Sequence, residues 1–102
     1  MDCEFNEVNF DRMARCIGAI AHPLRLKIIA AIHNQELNVN ELVATVGSSQ
    51  SNISQHLSLL REKEILLSER KANKVYYRLG RCGVAELLLL SNDIFVGKSA
   101  RK

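Results

Sequence analysis

The segment from Asn40 to Lys63 restricts the possible folds of this chain more than any other. After Asn40, a residue type suited to capping a helix, Leu42, Val43 and Val46 recur at helical spacing. Gly47 ends that short helix and supplies a turn. Ser49 then caps a longer helix to about Lys63, with Ile53, Leu57 and Leu60 spaced four and then three on its inward face. A short helix, a glycine turn and a longer capped helix make a helix-turn-helix pattern.

The rest of the chain fits around this unit. Phe10, Met13, Ala14, Ile17, Ile20 and Ala21 predict an amphipathic helix over 8–20. Pro23, the single proline, suits the first turn of a second helix that runs to about residue 33 on Leu24, Ile28, Ile29, Ala31 and Ile32. Beyond the helix-turn-helix the period changes. Residues 65–70 and 75–79 read as two strands, the second β-branched and aromatic. Residues 71–74 form their turn, with Asn73 suited to positive φ. Arg81 or Cys82 is expected to open a last helix ending near Phe95, followed by a frayed tail over 96–102. The fold class expected is mainly α with a small β-hairpin: about five helices plus a wing over 65–79, in one domain spanning 1–102. The last helix carries Val84, Leu87, Leu88, Leu89, Leu90, Ile94 and Phe95 around more than one face. A helix so apolar needs cover that a domain this small does not supply, so a two-fold homodimer is expected.

Composition excludes several classes. With 102 residues, 47% hydrophobic and 25% charged, the chain is an ordinary globular domain. No apolar run approaches the roughly 18 residues of a membrane span. The acidic start (Asp2, Glu4, Glu7, Asp11) is unlike a secretory or transit leader. Three cysteines make no disulfide framework, so reduced thiols and a cytoplasmic location are expected. The net charge of +3 is unevenly spread: Arg61, Lys63, Arg70, Lys71, Lys74, Arg78 and Arg81 concentrate in 61–81. That asymmetry points to a polyanion partner.

The second helix of the pair carries the chemistry. Gln50, Ser51, Ser54, Gln55 and Ser58 fall on or near the face opposite its apolar residues. An ordinary solvated face carries Lys and Glu pairs; the first two turns here have none. Gln can pair with an adenine edge, Ser can serve bases or phosphates, and a helix N-terminus attracts phosphate. The residues expected to meet double-stranded operator DNA are Ser49, Gln50, Ser51, Asn52, Ser54, Gln55 and His56, with Arg70, Lys71, Lys74 and Arg78 of the hairpin holding phosphates. Of Tyr76 and Tyr77, which point to opposite faces, at least one is expected to pack on the core.

Residues 21–26 (AHPLRL), 36–42 (ELNVNEL), 49–61 (SQSNISQHLSLLR) and 75–79 (VYYRL) resemble the ArsR/SmtB family of winged-helix repressors, over about 10–95. The resemblance implies a homodimer built on the first and last helices (8–20 and 81–95) and release from operator DNA by a ligand. The chain departs from the family at its metal sites. Where many members carry Cys-Val-Cys, this sequence reads Asn38-Val39-Asn40, and amide groups are poor ligands for soft metals. The last helix offers Glu86 and Asp93 but no histidine. No metal and no cofactor are expected.

Sensing, if present, falls to Cys16, Cys82 and Cys3, through a thiol-reactive inducer such as arsenite, persulfide or an oxidant. Cys82 at a helix start would have a raised thiolate fraction, whereas Cys16 also reads as a small buried apolar residue. His22 is expected to help cap the second helix, and His56 to bond a phosphate or nearby backbone. Enzymatic function is disfavoured: Ser54 and His56, two apart on a helix, do not face each other, and no nucleophile elbow or phosphate loop is present. The alternative to a ligand-released repressor is a ligand-independent winged-helix regulator or protein-interaction module.

Overall fold

The computed structural model describes residues 8–80 and 83–96. Five helices and three strands follow one another: α1 (Phe10–Ile20), α2 (Pro23–Ile32), β1 (Leu37–Asn38), α3 (Val39–Val46), α4 (Gln50–Glu62), β2 (Leu66–Lys71), β3 (Lys74–Leu79) and α5 (Val84–Phe95). The expected winged helix-turn-helix is present, with a third strand added.

Local chemistry sets most of the boundaries. His22 is the N-cap of α2; its Nδ1 accepts from the Leu24 amide at 3.0 Å, and Pro23 follows where its missing N–H costs nothing. The α3 helix begins two residues earlier than the sequence suggested. Asn38, not Asn40, is its N-cap: the Asn38 side chain accepts from the Glu41 amide at 2.9 Å, and the Glu41 carboxylate accepts from the Asn38 amide at 2.9 Å. This reciprocal pair satisfies two backbone donors, which Asn40 has no partner to do. Gly47, at φ 85°, closes α3 in the left-handed region that a side chain resists, and its N–H reaches the Val43 carbonyl.

The sheet order is β1-β3-β2, all antiparallel. Leu66 pairs with Leu79 at the base of the hairpin and Lys71 with Lys74 at its tip, while Leu37 and Asn38 pair with Tyr77 and Tyr76. Alternation turns Leu66, Tyr77 and Leu79 toward the core and leaves Leu67, Tyr76 and Arg78 outward. Positive φ in the turn falls on Ala72 (57°), not on Asn73. A two-residue connection of this twist needs left-handed backbone at its first central residue, whatever stands there.

One core unites the elements. Ile28, Ile29, Ile32, Leu42, Ile53, Leu57, Leu60, Ile65, Leu66 and Val84 are all buried below 2% exposure. Truncating any of the large ones to Ala would cost about 2–5 kcal/mol. The last helix begins at Val84 with Gly83 as its N-cap, later than expected, so Arg81 and Cys82 precede it and lie outside the described residues. A left-handed Gly83 (φ 75°) breaks the helix there. Cys3 and the tail 97–102 also lie outside the described residues.

Candidate nucleic-acid interface

The α4 helix is clamped on its inner face and bare on its outer one. Ile53, Leu57 and Leu60 are fully buried, while Gln50, Ser51, Asn52, Gln55 and Ser58 are exposed and Ser54 is half-buried. Several polar groups at its start have local partners. Ser49 Oγ accepts from the Asn52 amide at 3.1 Å, and Asn52 Nδ2 donates to Ser48 Oγ at 2.9 Å. Gln50, Ser51, Ser54 and Gln55 make no such side-chain bond among the described residues. They form a strip of uncharged donors and acceptors on a rigid support.

His56 is held from behind. Its Nδ1 accepts from Arg25 Nε at 3.1 Å, and its ring tilts against that of His22 at 4.6 Å between centroids. Arg25 also donates to the Ala19 carbonyl at 3.0 Å, so one guanidinium ties the end of α1 and the start of α2 to α4. Burial, then the neighbouring His22 and Arg25, hold the His56 pKa below its ordinary 6.5. The contact spans 31 residues and has no local sequence signal.

The hairpin divides its cations. Lys71 Nζ lies 2.6 Å from Glu36 Oε1 and 5.7 Å from the centre of the Tyr76 ring. Hydrogen bonding to Glu36 raises its pKa. Arg70 and Lys74, near the tip, are exposed, and Arg70 lies on the opposite sheet face from Lys71, Lys74 and Arg78. Arg78 stands at the base, paired with Leu67 and facing a cleft with Arg12 and Arg15 of α1. The structure therefore brings Arg70 and Lys74 to the wing tip but sets Arg78 apart. Arg61, part of the basic segment but not among the expected DNA contacts, reaches Ser68 Oγ with its guanidinium at 3.4 Å and couples α4 to the wing. Asn38, at the family's metal position, is occupied by its cap, and no group of three His, Cys, Asp or Glu side chains suited to a metal occurs among the described residues.

A helix-turn-helix whose second helix bares a polar face beside a β-wing defines the winged-helix class of DNA-binding regulators. The family described as "Bacterial regulatory protein, arsR family" matches residues 22–68. The biofilm growth-associated repressor of Xylella fastidiosa is 30% identical over 95 residues, 93% of this chain and 83% of that protein. The transcriptional repressor PagR of Bacillus anthracis is 30% identical over 92% of this chain and 95% of its own length. The transcriptional activator HlyU of Vibrio cholerae is 30% identical over 93% of this chain and 88% of its own length. Among solved structures, the repressor BigR from Xylella fastidiosa has a TM-score of 0.86 at 30% identity, covering 96% of this chain and 100% of that one. The chain belongs to the arsR family of bacterial regulatory proteins.

Proposed function

We propose that this chain is a dimeric, sequence-specific DNA-binding transcriptional repressor that works in the cytoplasm. The observation that carries the reading is the uncharged strip Gln50, Ser51, Ser54 and Gln55 on a helix whose opposite face is fully buried. Such a helix enters a major groove without rearranging, and its amides and hydroxyls match base edges. Arg70 and Lys74 hold phosphates at the wing tip, and Lys71 joins them if Glu36 lets go. Ser49 and Asn52 contribute as the cap that fixes the helix start. Relatives are named both as repressors and as an activator.

The dimer is supported by what α1 and α5 leave uncovered. Phe10 and Leu89 are each 59% exposed, and Leu90, Ile94 and Phe95 are 72–80% exposed. Covering each such side chain contributes about 1.5–3 kcal/mol, so four α5 residues on each of two copies supply about 12–24 kcal/mol. Association costs roughly 4–15 kcal/mol in lost freedom. A two-fold pair would present its α4 helices to successive major grooves, about 34 Å apart, on an imperfect palindrome. The domain plan follows: α1 and α5 pair the copies, and 40–63 with the wing meets DNA.

Release by a thiol-reactive inducer is the finer part of the proposal. It rests on Cys16, which is half-buried on α1, together with Cys82 and Cys3. Selection of duplexes from a random pool tests the whole reading. The expected result is enrichment of a two-fold sequence bound at least ~1000-fold more tightly than random duplex at the same salt. Equal affinity for both would overturn it. Cys16→Ser combined with Cys82→Ser is expected to abolish release by at least one of arsenite, polysulfide and peroxide; release unchanged for all of them would leave the thiols without that role.

A further inference from the structure

A cleft of about 710 Å³ lies between α1, the turn joining α4 to β2, and the base of the wing. Four cations line it: Arg12 and Arg15 from α1, Lys63 from the end of α4, and Arg78 from β3. Among the described residues, Glu64 is the single carboxylate in its wall. Among the described residues, no ion pair or side-chain hydrogen bond engages any of the four cations. Surface cations commonly spread apart into water, but these converge on one concavity, where low-dielectric walls concentrate their field.

The wall is built rather than incidental. Glu64, a residue with a side chain, takes the left-handed conformation at φ 63°. The Gly80 amide donates to the Ile65 carbonyl at 2.8 Å, and a Cβ on Gly80 would come within 2.8 Å of the Glu64 carbonyl oxygen. Two chain segments are thus pinned backbone to backbone at a place where only glycine fits. The backbone positions that carry Lys63 and Arg78 are held close to each other by that contact.

Position gives the cleft its meaning. Lys63 and Glu64 follow the last turn of α4, about 20 Å along the helix from Gln50. Arg78 stands at the hairpin end opposite the Ala72–Asn73 turn. The cleft therefore sits where the back ends of α4 and the wing meet, at the far end of the sheet face that carries Lys74 at its tip. On α1, Arg12 and Arg15 lie off the exposed stripe of Phe10, Met13 and Ile17 that a second copy would cover.

We propose that this cleft binds a small polyvalent oxyanion of the phosphate or pyrophosphate class. The anion would bridge α1, the α4–β2 turn and the wing base through charge-assisted hydrogen bonds, and guanidinium forks suit that chemistry. Binding does not depend on the DNA-reading assignment. Its regulatory consequence does, because an anion that draws the pinned α4–β2 turn and wing base toward α1 biases how α4 and the wing sit relative to α1.

The test is a titration of the full chain with sodium pyrophosphate in the absence of DNA, followed by amide chemical shifts, with ionic strength held constant by sodium chloride. The expected result is saturation below about 1 mM, with the largest shifts at 12–16, 63–67 and 78–80. Arg12→Gln with Arg15→Gln should weaken it at least tenfold while the melting temperature is kept. The proposal is overturned by shifts that fail to saturate, by shifts equally large with chloride alone, or by largest shifts at 50–55. A DNA arm separates the sources of phosphate. Arg15→Gln should leave affinity for a random duplex unchanged without pyrophosphate; a drop would assign the cleft to the DNA backbone and overturn the small-ligand site.

Discussion

The helices α4 and α5 have nearly equal lengths, 13 and 12 residues, yet they meet solvent in opposite ways. Three apolar residues anchor α4 in the core, and the exposed face from Gln50 to Ser58 is made of Gln, Ser and Asn. In α5, Val84 alone of the described positions is buried, and Leu, Ile and Phe supply most of what is left exposed, beside Glu86 and Asn92. Both leave a whole face unmatched. A hydrogen-bonding face without charge is matched by groove edges, and an aliphatic face by another aliphatic face. The contrast teaches that an unsatisfied surface states the chemistry of its partner, and that this small domain states two.

The sharpest way to break the contrast is to charge α5. Leu90→Glu with Ile94→Glu is expected to give monomers by light scattering and to weaken duplex binding by about 100-fold or more, because two half-sites are then no longer held together. A dimer that survives this change would place the interface elsewhere. Next in size is the wing tip. Lys74→Ala should weaken binding to all duplexes alike and lower the salt slope by about one unit. A sequence-dependent loss would instead make Lys74 a reader of bases.

A pH series probes the support behind α4. Because burial and neighbouring charge lower the His56 pKa, the folded chain takes up that proton less readily than the unfolded chain does. Its contribution to stability is complete above the unfolded value of about 6.5 and is lost as pH falls through the lowered folded value. Melting temperature should fall between pH 7.5 and 5.5, and less so in His56→Gln, which keeps an acceptor for Arg25. Equal slopes in the two proteins would remove His56 as the cause. The smallest effect is expected at a residue on neither face. Ala72→Gly relieves left-handed backbone and should raise stability by about 0.5–1 kcal/mol in a thermal melt; a loss would mean that the turn is unstrained.

Much of the frame was legible because strong local signals coincide. Pro23 marks the start of α2, Gly47 the end of α3, and Ile53, Leu57 and Leu60 the buried face of α4. The strip on α4 was legible as the complement of that face. What escaped was long-range or lacked a distinctive residue. The strand β1 is two residues long, too short for any period, and exists because β3 offers it an edge. Asn40 has the residue type of an N-cap for α3, yet Glu41, three residues after Asn38, signals the reciprocal cap at Asn38. Nothing about Ala72 suggests positive φ. The clamp of His56 by Arg25, and the gathering of Arg12, Arg15, Lys63 and Arg78 around one cleft, are products of tertiary packing.

The central claim is that the bare strip of α4 reads bases. Its most direct test compares Gln50→Ala with the unaltered protein on a selected duplex and on a scrambled duplex of the same length, at one salt concentration. The account predicts a loss of about 1–3 kcal/mol on the selected duplex and almost none on the scrambled one, so that the affinity ratio between them collapses. Equal losses on both duplexes, or no loss on either, would contradict it.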